Sequence, residues 1–279
     1  MPAGLRERVF QASRRARAAG QPFPQVQAIS GAEAYRRAGG ALHQTLHGLA
    51  VGDWRRPAIR NLDVQGLVGH LTGVEDDVRR ALAGDPEAGT ADHIASTQPA
   101  AARQAGRDPA RTLQDWRGAV DSMLAQVAGL DDHGAIIAVH GILLPLNALL
   151  VARAFELWTH DNDIRLSCGL PPAVPDPETL HQMTVLGASL LPFAARRAGL
   201  RRSARVHLVL TGAGGGTWDV ELGDEQSSDP AQASIVIDAV GFCRLVANRV
   251  TPAELQPHIT GDRDDADRVL AAAMTLALD

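Results

Sequence analysis

The sequence has 279 residues and a formal net charge of −5 at pH 7, so its charge does not indicate a nucleic-acid or anionic-membrane partner. All 27 basic residues are arginine, which excludes Schiff-base chemistry on lysine and the phosphate-binding lysine of a P-loop. The two cysteines lie far apart, and no apolar run reaches the roughly 18 residues of a membrane span. We therefore expect a cytoplasmic protein without a disulfide framework, long enough for two domains.

The N-terminal two thirds of the chain carries apolar residues at helical spacing. Residues 1–29 form an Arg-rich arm without the apolar core of a signal peptide. Capping residues then mark helix starts, since Ser30 and Glu33 fit a capping box and Asp63 precedes the next apolar stripe. The predicted helices begin near residues 30, 64, 108 and 146, and a fifth runs from 176 to about 198.

Several histidines lie outside any obvious motif. His43 and His47 stand four residues apart and could form a metal pair, but they flank an apolar stripe, which favours a solvated pair. We interpret residues 84–106 as mostly connector, with at most one short helix. His93 lies in this stretch, and nothing in the sequence identifies a partner for it. His140 lies in the apolar run before the fourth helix, and we interpret it as a core histidine.

The helix over residues 146–164 carries the strongest chemical pattern. Arg153, Glu156, His160 and Asp163 recur at i, i+3, i+7 and i+10, while large apolar residues occupy the neighbouring stripes. A buried row of ionisable side chains is costly unless each finds a partner, and a metal ion is one such partner. The alternative is a partly solvated polar face with an ion pair between Arg153 and Glu156.

A second helix contributes one more candidate ligand. His70 falls inside the apolar face of the helix over Val64–Leu82, where a lone histidine is more often a hydrogen-bonded core residue than a ligand. Glu75 follows five residues later and either supports His70 from behind or faces water.

The pattern changes after residue 199, and the C-terminal part predicts a small α+β domain of about 80 residues. Alternating strands are predicted over 204–210, 217–222 and 234–237, with a fourth at 257–260 and helices over 240–247 and 262–278. The glycine-rich stretch 211–216 lacks the GK[ST] of a P-loop and is predicted to be a hairpin turn.

Two segments resemble one known family. The sequence LVGHLTGVE at residues 67–75 is similar to the AHLAGxE helix of mycothiol-dependent maleylpyruvate isomerases, and RAFELWTHDNDI at residues 153–164 resembles their RAFExWxHxxDI signature. The segments FCRLVANR at 242–249 and ITGD at 259–262 resemble the small C-terminal domain of that family. The resemblance implies an α + (α+β) fold, with a DinB-like up-and-down four-helix bundle over 30–198 and a sterol-carrier-like α+β domain over 199–279.

The same resemblance implies a divalent metal, usually zinc, held by His70, Glu156 and His160 with one position left open. The family implies mycothiol as the cosubstrate, whose sulfur the metal would activate as a thiolate for attack on a small-molecule electrophile. We therefore expect a monomeric, maleylpyruvate isomerase-like enzyme. A thiol-exchange S-transferase of natural-product biosynthesis or detoxification is one alternative, and a non-catalytic small-molecule binding protein is the other.

Cationic anchors would be needed for an acidic acceptor such as maleylpyruvate. Arg249 is similar to the arginine of the family's C-terminal "GR" and is the candidate catalytic residue, although Asn248 stands where the family usually has glycine. Arg153 is the weaker candidate, because it could instead pair with Glu156 or Asp163. We expect Asp163 to orient His160 or to cap the helix. The two cysteines, Cys168 and Cys243, are interpreted as packed, inert thiols.

Overall fold

The computed structural model describes residues 26–130, 134–200, 205–222 and 231–277, so nearly all of the predicted N-terminal arm lies outside the described residues. No helix in these ranges is long and apolar enough to cross a membrane. The N-terminal part is helical and the C-terminal part contains a small sheet, which confirms the α + (α+β) prediction. The helical part comprises α1 (Gly31–His47), a 3-10 helix (Val51–Arg55), α2 (Val64–Leu82), α3 (Pro86–Thr90), α4 (His93–Gln104), α5 (Pro109–Ala128) and α6 (Leu146–Cys168).

The N-caps predicted from sequence start the helices of the bundle. The side chains of Ser30, Asp63 and Asp108 each accept a hydrogen bond from a backbone amide in the first turn of α1, α2 and α5. Gly169, at φ 69°, ends α6 in the left-handed conformation that helix C-termini favour. These caps fix where the helices begin and end.

The predicted connector 84–106 is wrong, because it contains both α3 and α4. Asp85 caps α3 and Asp92 caps α4, each through its carboxylate and the backbone amides that follow. Two glycines of α2 let α4 lie against its backbone: a Cβ at Gly69 would stand 2.7 Å from the side chain of Gln104, and one at Gly73 would stand 2.9 Å from Ala100. This close packing places the first turn of α4 beside α2.

A β-hairpin absent from the prediction precedes α6. It joins β1 (Ile136–Val139) to β2 (Ile142–Pro145) through the two residues His140 and Gly141, at φ 49° and φ 75°. Positive φ at both central residues is typical of the type I′ turn that twists with the strands. The tip is anchored on α3, since the amides of His140 and Gly141 donate to the carbonyls of Ala88 and Gly89.

The C-terminal unit forms around one four-stranded sheet, with strand order β4-β3-β5-β6. The strands β3 and β5 run parallel, and the two outer pairs are antiparallel. The glycine-rich turn lies between β3 and β4, as predicted. The elements are α7 (Pro177–Arg197), β3 (Arg205–Thr211), β4 (Gly216–Glu221), β5 (Ala233–Asp238), α8 (Ala239–Val246), α9 (Pro252–Leu255), β6 (His258–Gly261), α10 (Arg263–Ala273) and a closing 3-10 helix (Met274–Leu276).

Two hydrophobic cores share helix α6. One face of α6, including Leu150 and Leu157, packs into the bundle core, whereas Phe155 and Trp158 belong to the core beneath the sheet. Helix α7, which we expected to complete the bundle, packs its buried side chains into this second core. The candidate site lies where these two cores meet on α6.

Candidate metal centre

The three predicted ligands converge although they come from helices that are far apart in sequence. His70 projects from α2, and Glu156 and His160 project from α6 one turn apart. One ligand atom from each of the three lies within 4.8 Å of the other two. Within the described ranges, this is the one group of three or more such side chains close enough to hold a metal ion.

The hydrogen bonds of His70 determine which ring nitrogen carries the lone pair. Its Nδ1 lies 2.7 Å from the hydroxyl oxygen of Thr97. Thr97 donates its own proton to the carbonyl of His93 at 2.9 Å, so its oxygen accepts from Nδ1–H of His70. The remaining nitrogen, Nε2, therefore carries a lone pair, and it lies 3.6 Å from Oε1 of Glu156.

His160 is held in the same tautomer by a carboxylate. Its Nδ1 lies 2.9 Å from Oδ2 of Asp163, which also accepts two hydrogen bonds of 2.9 Å from Arg249. Burial opposes ionisation of Asp163, but the bonds from His160 and Arg249 outweigh it and lower its pKa. The charged carboxylate therefore accepts from Nδ1–H of His160 and leaves Nε2 as a lone-pair donor.

Glu156 has one satisfied oxygen and one without a partner. Its Oε2 accepts from Arg153, whereas the buried Oε1 makes no hydrogen bond. Burial opposes ionisation of Glu156, but the charge of Arg153 outweighs it and lowers the carboxyl pKa well below its ordinary value. An anionic oxygen is thus buried facing imidazole lone pairs, an arrangement that a cation would stabilise.

The donor set fits a divalent metal. Two imidazole nitrogens and one carboxylate oxygen are the ligands of open catalytic zinc sites, and the unpartnered Oε1 of Glu156 would be satisfied by such an ion. The nitrogen atoms are preorganised for it, because Thr97 and Asp163 occupy the outer nitrogen of each ring.

Arg153 and Glu75 form a buried ion pair behind the site. Arg153 donates to Glu75 at 2.8 Å as well as to Glu156, and it is 2% exposed. Glu75 is fully buried, so the interpretation that it faces water is wrong, and it contacts Arg153 rather than His70. Burial raises the pKa of Glu75 despite this pairing. Arg153 therefore supports Glu156, as the ion-pair alternative predicted.

The structure places the guanidinium of Arg249 on Asp163 and on the carbonyl of Ala247. Arg249 thus reaches the site through the carboxylate that orients His160. Asn248, beside it, has φ 55°, a left-handed conformation that glycine and asparagine adopt more readily than other residues.

Sequence reasoning missed three side chains beside the site. His93 places Nε2 3.6 Å from Oε1 of Glu156, and its Nδ1 lies 3.1 Å from Nδ1 of His140. His140 in turn contacts Asp77 at 3.0 Å. Arg60 lies on the other side, where its guanidinium donates to the Nε2 lone pair of His70 at 3.4 Å, a contact that a metal ion on this nitrogen would replace. Asp92, an N-cap residue directly before His93, is the one sequence signal that could have placed His93 at a helix start.

A cavity of about 140 Å³ opens onto Glu156 and His160. Its walls come from the β1–β2 hairpin, α6, α7, α8 and the closing 3-10 helix, and they are largely apolar. The apolar lining includes Ile142, Leu144, Leu149, Leu186, Leu190 and Val246.

The other candidates lie apart from this cluster. His43 stacks on Trp116 at a centroid distance of 6.2 Å, whereas His47 is exposed. Cys243 is buried and Cys168 is partly buried, as expected for packed thiols, and burial raises the pKa of both.

Comparison with known proteins supports the resemblance. Residues 35–165 match the family model of the mycothiol maleylpyruvate isomerase N-terminal domain. A crystal structure of the mycothiol-dependent maleylpyruvate isomerase superposes with a TM-score of 0.54 at 12% identity, and one of its histidine-to-alanine mutants with 0.53 at 11%. Both superpositions cover 79% of this chain and 88% of the other. At such identity they establish a common fold. No curated protein matches the sequence.

Proposed function

We propose, from the match of residues 35–165 to the family model of the mycothiol maleylpyruvate isomerase N-terminal domain, that the chain is a metal-dependent enzyme using a small thiol, mycothiol, as cosubstrate. The observation that carries the proposal is the convergence of His70, Glu156 and His160 beside a cavity, with ligand atoms within 4.8 Å. Zinc is the proposed ion, because this donor set matches open catalytic zinc sites.

A divalent metal held there would act as a Lewis acid that lowers the pKa of a bound thiol from its ordinary value near 8.5. The chain's own residues supply the rest. Thr97 and Asp163 keep the imidazoles in the ligating tautomer, and Arg153 keeps Glu156 ionised and fixed. The apolar cavity walls exclude water from the nucleophilic sulfur, which preserves its reactivity.

The cavity favours an uncharged acceptor, and therefore thiol transfer over isomerisation of a dicarboxylate. Among its lining residues within the described ranges, the only arginine is Arg153, which two carboxylates already neutralise. Arg249 would reach an acidic acceptor only by leaving Asp163, where it makes two hydrogen bonds. An apolar electrophile requires neither arginine to move.

The test is a thiol-consumption assay of the zinc-loaded full chain with mycothiol. We expect turnover with a neutral aromatic electrophile such as 1-chloro-2,4-dinitrobenzene to exceed turnover with maleylpyruvate, and a chelator to abolish both. His160→Ala should be inactive, whereas the control His43→Ala, outside the cluster, should keep full activity. Turnover that survives both chelation and His160→Ala would refute the proposal, and binding of mycothiol without consumption of any electrophile would favour the binding-protein alternative.

A further inference from the structure

A row of three side chains leads from the far side of α2 to the metal centre. The carboxylate of Asp77 lies 3.0 Å from Nε2 of His140, and Nδ1 of His140 lies 3.1 Å from Nδ1 of His93. The other nitrogen of His93 points to Glu156 Oε1 at 3.6 Å. The side chains of Asp77, His93 and His140 are all buried, so solvent does not satisfy these atoms.

The proton positions follow from the chemistry of the three groups. Asp77 accepts only, so Nε2 of His140 donates to it, and the neutral ring then has its lone pair on Nδ1. The short contact between the two Nδ1 atoms needs one proton, which His93 supplies. His93 Nε2 is then a lone pair, as are the inner nitrogens of His70 and His160.

The reverse assignment would place a proton on Nε2 of His93 and a charge on His140. A protonated Nε2 would donate to the unpartnered Oε1 of Glu156, yet the two atoms stand 3.6 Å apart, too far for a hydrogen bond to a carboxylate. The gap fits two lone-pair atoms that face a common position.

The distance between His93 and Glu156 also fits shared coordination. Two donors bound at about 2.0–2.1 Å to one tetrahedral ion stand about 3.4 Å apart. Glu156 Oε1 lies 3.6 Å from Nε2 of both His70 and His93. The rings of His70 and His93 meet edge to face at 5.1 Å between centroids, but His93 lies outside the group whose ligand atoms are all within 4.8 Å of one another, so its ring must move toward the ion in order to bind it.

From this geometry we propose that His93 is a fourth protein ligand of the metal centre, and that Asp77 and His140 are positioning residues that hold its tautomer. The inference rests on the proposed function, because it assumes that His70, Glu156 and His160 bind an ion. The centre then has three imidazoles and one carboxylate, and the thiol takes a fifth position, an expansion that catalytic zinc sites allow.

The local backbone is consistent with a dedicated role for His140. It occupies the first central position of a type I′ turn at φ 49°, a left-handed conformation that few residues other than glycine adopt, with asparagine, aspartate and histidine the most frequent of them. The two hydrogen bonds from this turn to Ala88 and Gly89 hold the imidazole between Asp77 and His93. A residue held at a disfavoured conformation with its side chain aimed at a site is typical of functional positions.

The experiment replaces the metal with Co²⁺ in the full chain and records the visible spectrum and the dissociation constant by chelator competition. We expect His93→Ala to weaken Co²⁺ binding about 100-fold or more and to change the absorption bands. His140→Asn suits the turn better than histidine, so the protein stays folded, and it should weaken binding about 10-fold. The control His43→Ala should leave the spectrum and the affinity unchanged.

The outcomes separate this inference from the proposed function. If His160→Ala abolishes Co²⁺ binding while His93→Ala and His140→Asn keep the native spectrum and affinity, His93 is not a ligand and only this inference fails. If the unaltered chain binds no Co²⁺, the metal centre itself fails. Should His93→Ala not fold, the spectrum and affinity of His140→Asn decide, since that variant changes the tautomer support without altering the core.

Discussion

Asp163 joins the two parts of the molecule at a single carboxylate, since it accepts from His160 on its own helix and from Arg249 of the C-terminal unit. Spacing placed Arg153, Glu156, His160 and Asp163 on one stripe of the helix but left both a metal site and a partly solvated face possible, and the ligand roles of Glu156 and His160 came from the family resemblance. The positions of His93 and His140 could not be predicted in this way. Their contact spans 47 residues and depends on tertiary packing.

Replacing Asp163 by asparagine tests the orientation of His160. The amide can offer Nδ1–H an acceptor but no charge, so the imidazole loses its fixed tautomer and Arg249 loses its ion pair. We expect Asp163→Asn to lower zinc affinity 10- to 100-fold by chelator competition. Asp161→Asn is the matched control: Asp161 is equally buried on α6 but pairs with Arg165, and its replacement should leave zinc affinity unchanged.

The acid stability of the metal-free protein reports on His93. Burial lowers its pKa from the ordinary 6.5 to about 4, so between these values the unfolded chain binds more protons than the folded one. Stability therefore falls as the pH falls through this window, by about 3 kcal/mol. In urea titrations, the free energy of unfolding of His93→Gln should fall correspondingly less between pH 7 and pH 4 than that of the unaltered chain. An identical pH profile for both proteins would contradict the burial of a neutral His93.

Elements with strong local signals were predictable, whereas those determined by packing were not. Caps and apolar periodicity predicted α2, α5 and α6 closely, because each has an N-terminal signal in its own sequence. The β1–β2 hairpin was missed, since a His-Gly pair is a weak turn signal and only this pair interrupts the apolar run from Ile136 to Leu144. Helix α4 was missed because small and polar residues obscure its periodicity.

The contact between α2 and α4 supplies an element-level prediction. A methyl group at Gly69 would meet the side chain of Gln104 and the backbone of α4 at 2.7–2.9 Å, so α4 would have to move. Gly69→Ala should destabilise the protein by about 1–3 kcal/mol in urea denaturation and weaken zinc binding, because α4 carries Thr97 and His93. Gly118→Ala, on an exposed face of α5 with open space around it, should instead stabilise by up to about 1 kcal/mol. If Gly69→Ala left the free energy of unfolding unchanged, α4 would not be packed closely against α2.

At the scale of the whole molecule, helix α6 belongs to both hydrophobic cores. The succession of a helical part and a small sheet domain was predictable from the change in periodicity near residue 199. The packing of α7 against the second core could not be predicted, because the apolar face of a helix does not indicate which core it covers. The shared helix couples the stability of the C-terminal unit to the geometry of the metal centre.

This coupling predicts one cooperative unfolding transition. Phe242 is 1% exposed and packs against Gly187 of α7, so Phe242→Ala should cost about 3–5 kcal/mol. In calorimetry, we expect both the unaltered chain and the variant to unfold in a single transition, with a lower midpoint temperature for the variant. Two resolved transitions, with only one displaced by Phe242→Ala, would show that the units unfold independently.

The most direct test of the central claim is the metal content of the purified full chain by elemental analysis, after incubation with Zn²⁺ and gel filtration. We predict one zinc ion for each chain, and none in His70→Ala or His160→Ala variants that stay folded by circular dichroism. A chain that retains no zinc, or variants that retain as much as the unaltered chain, would contradict the account.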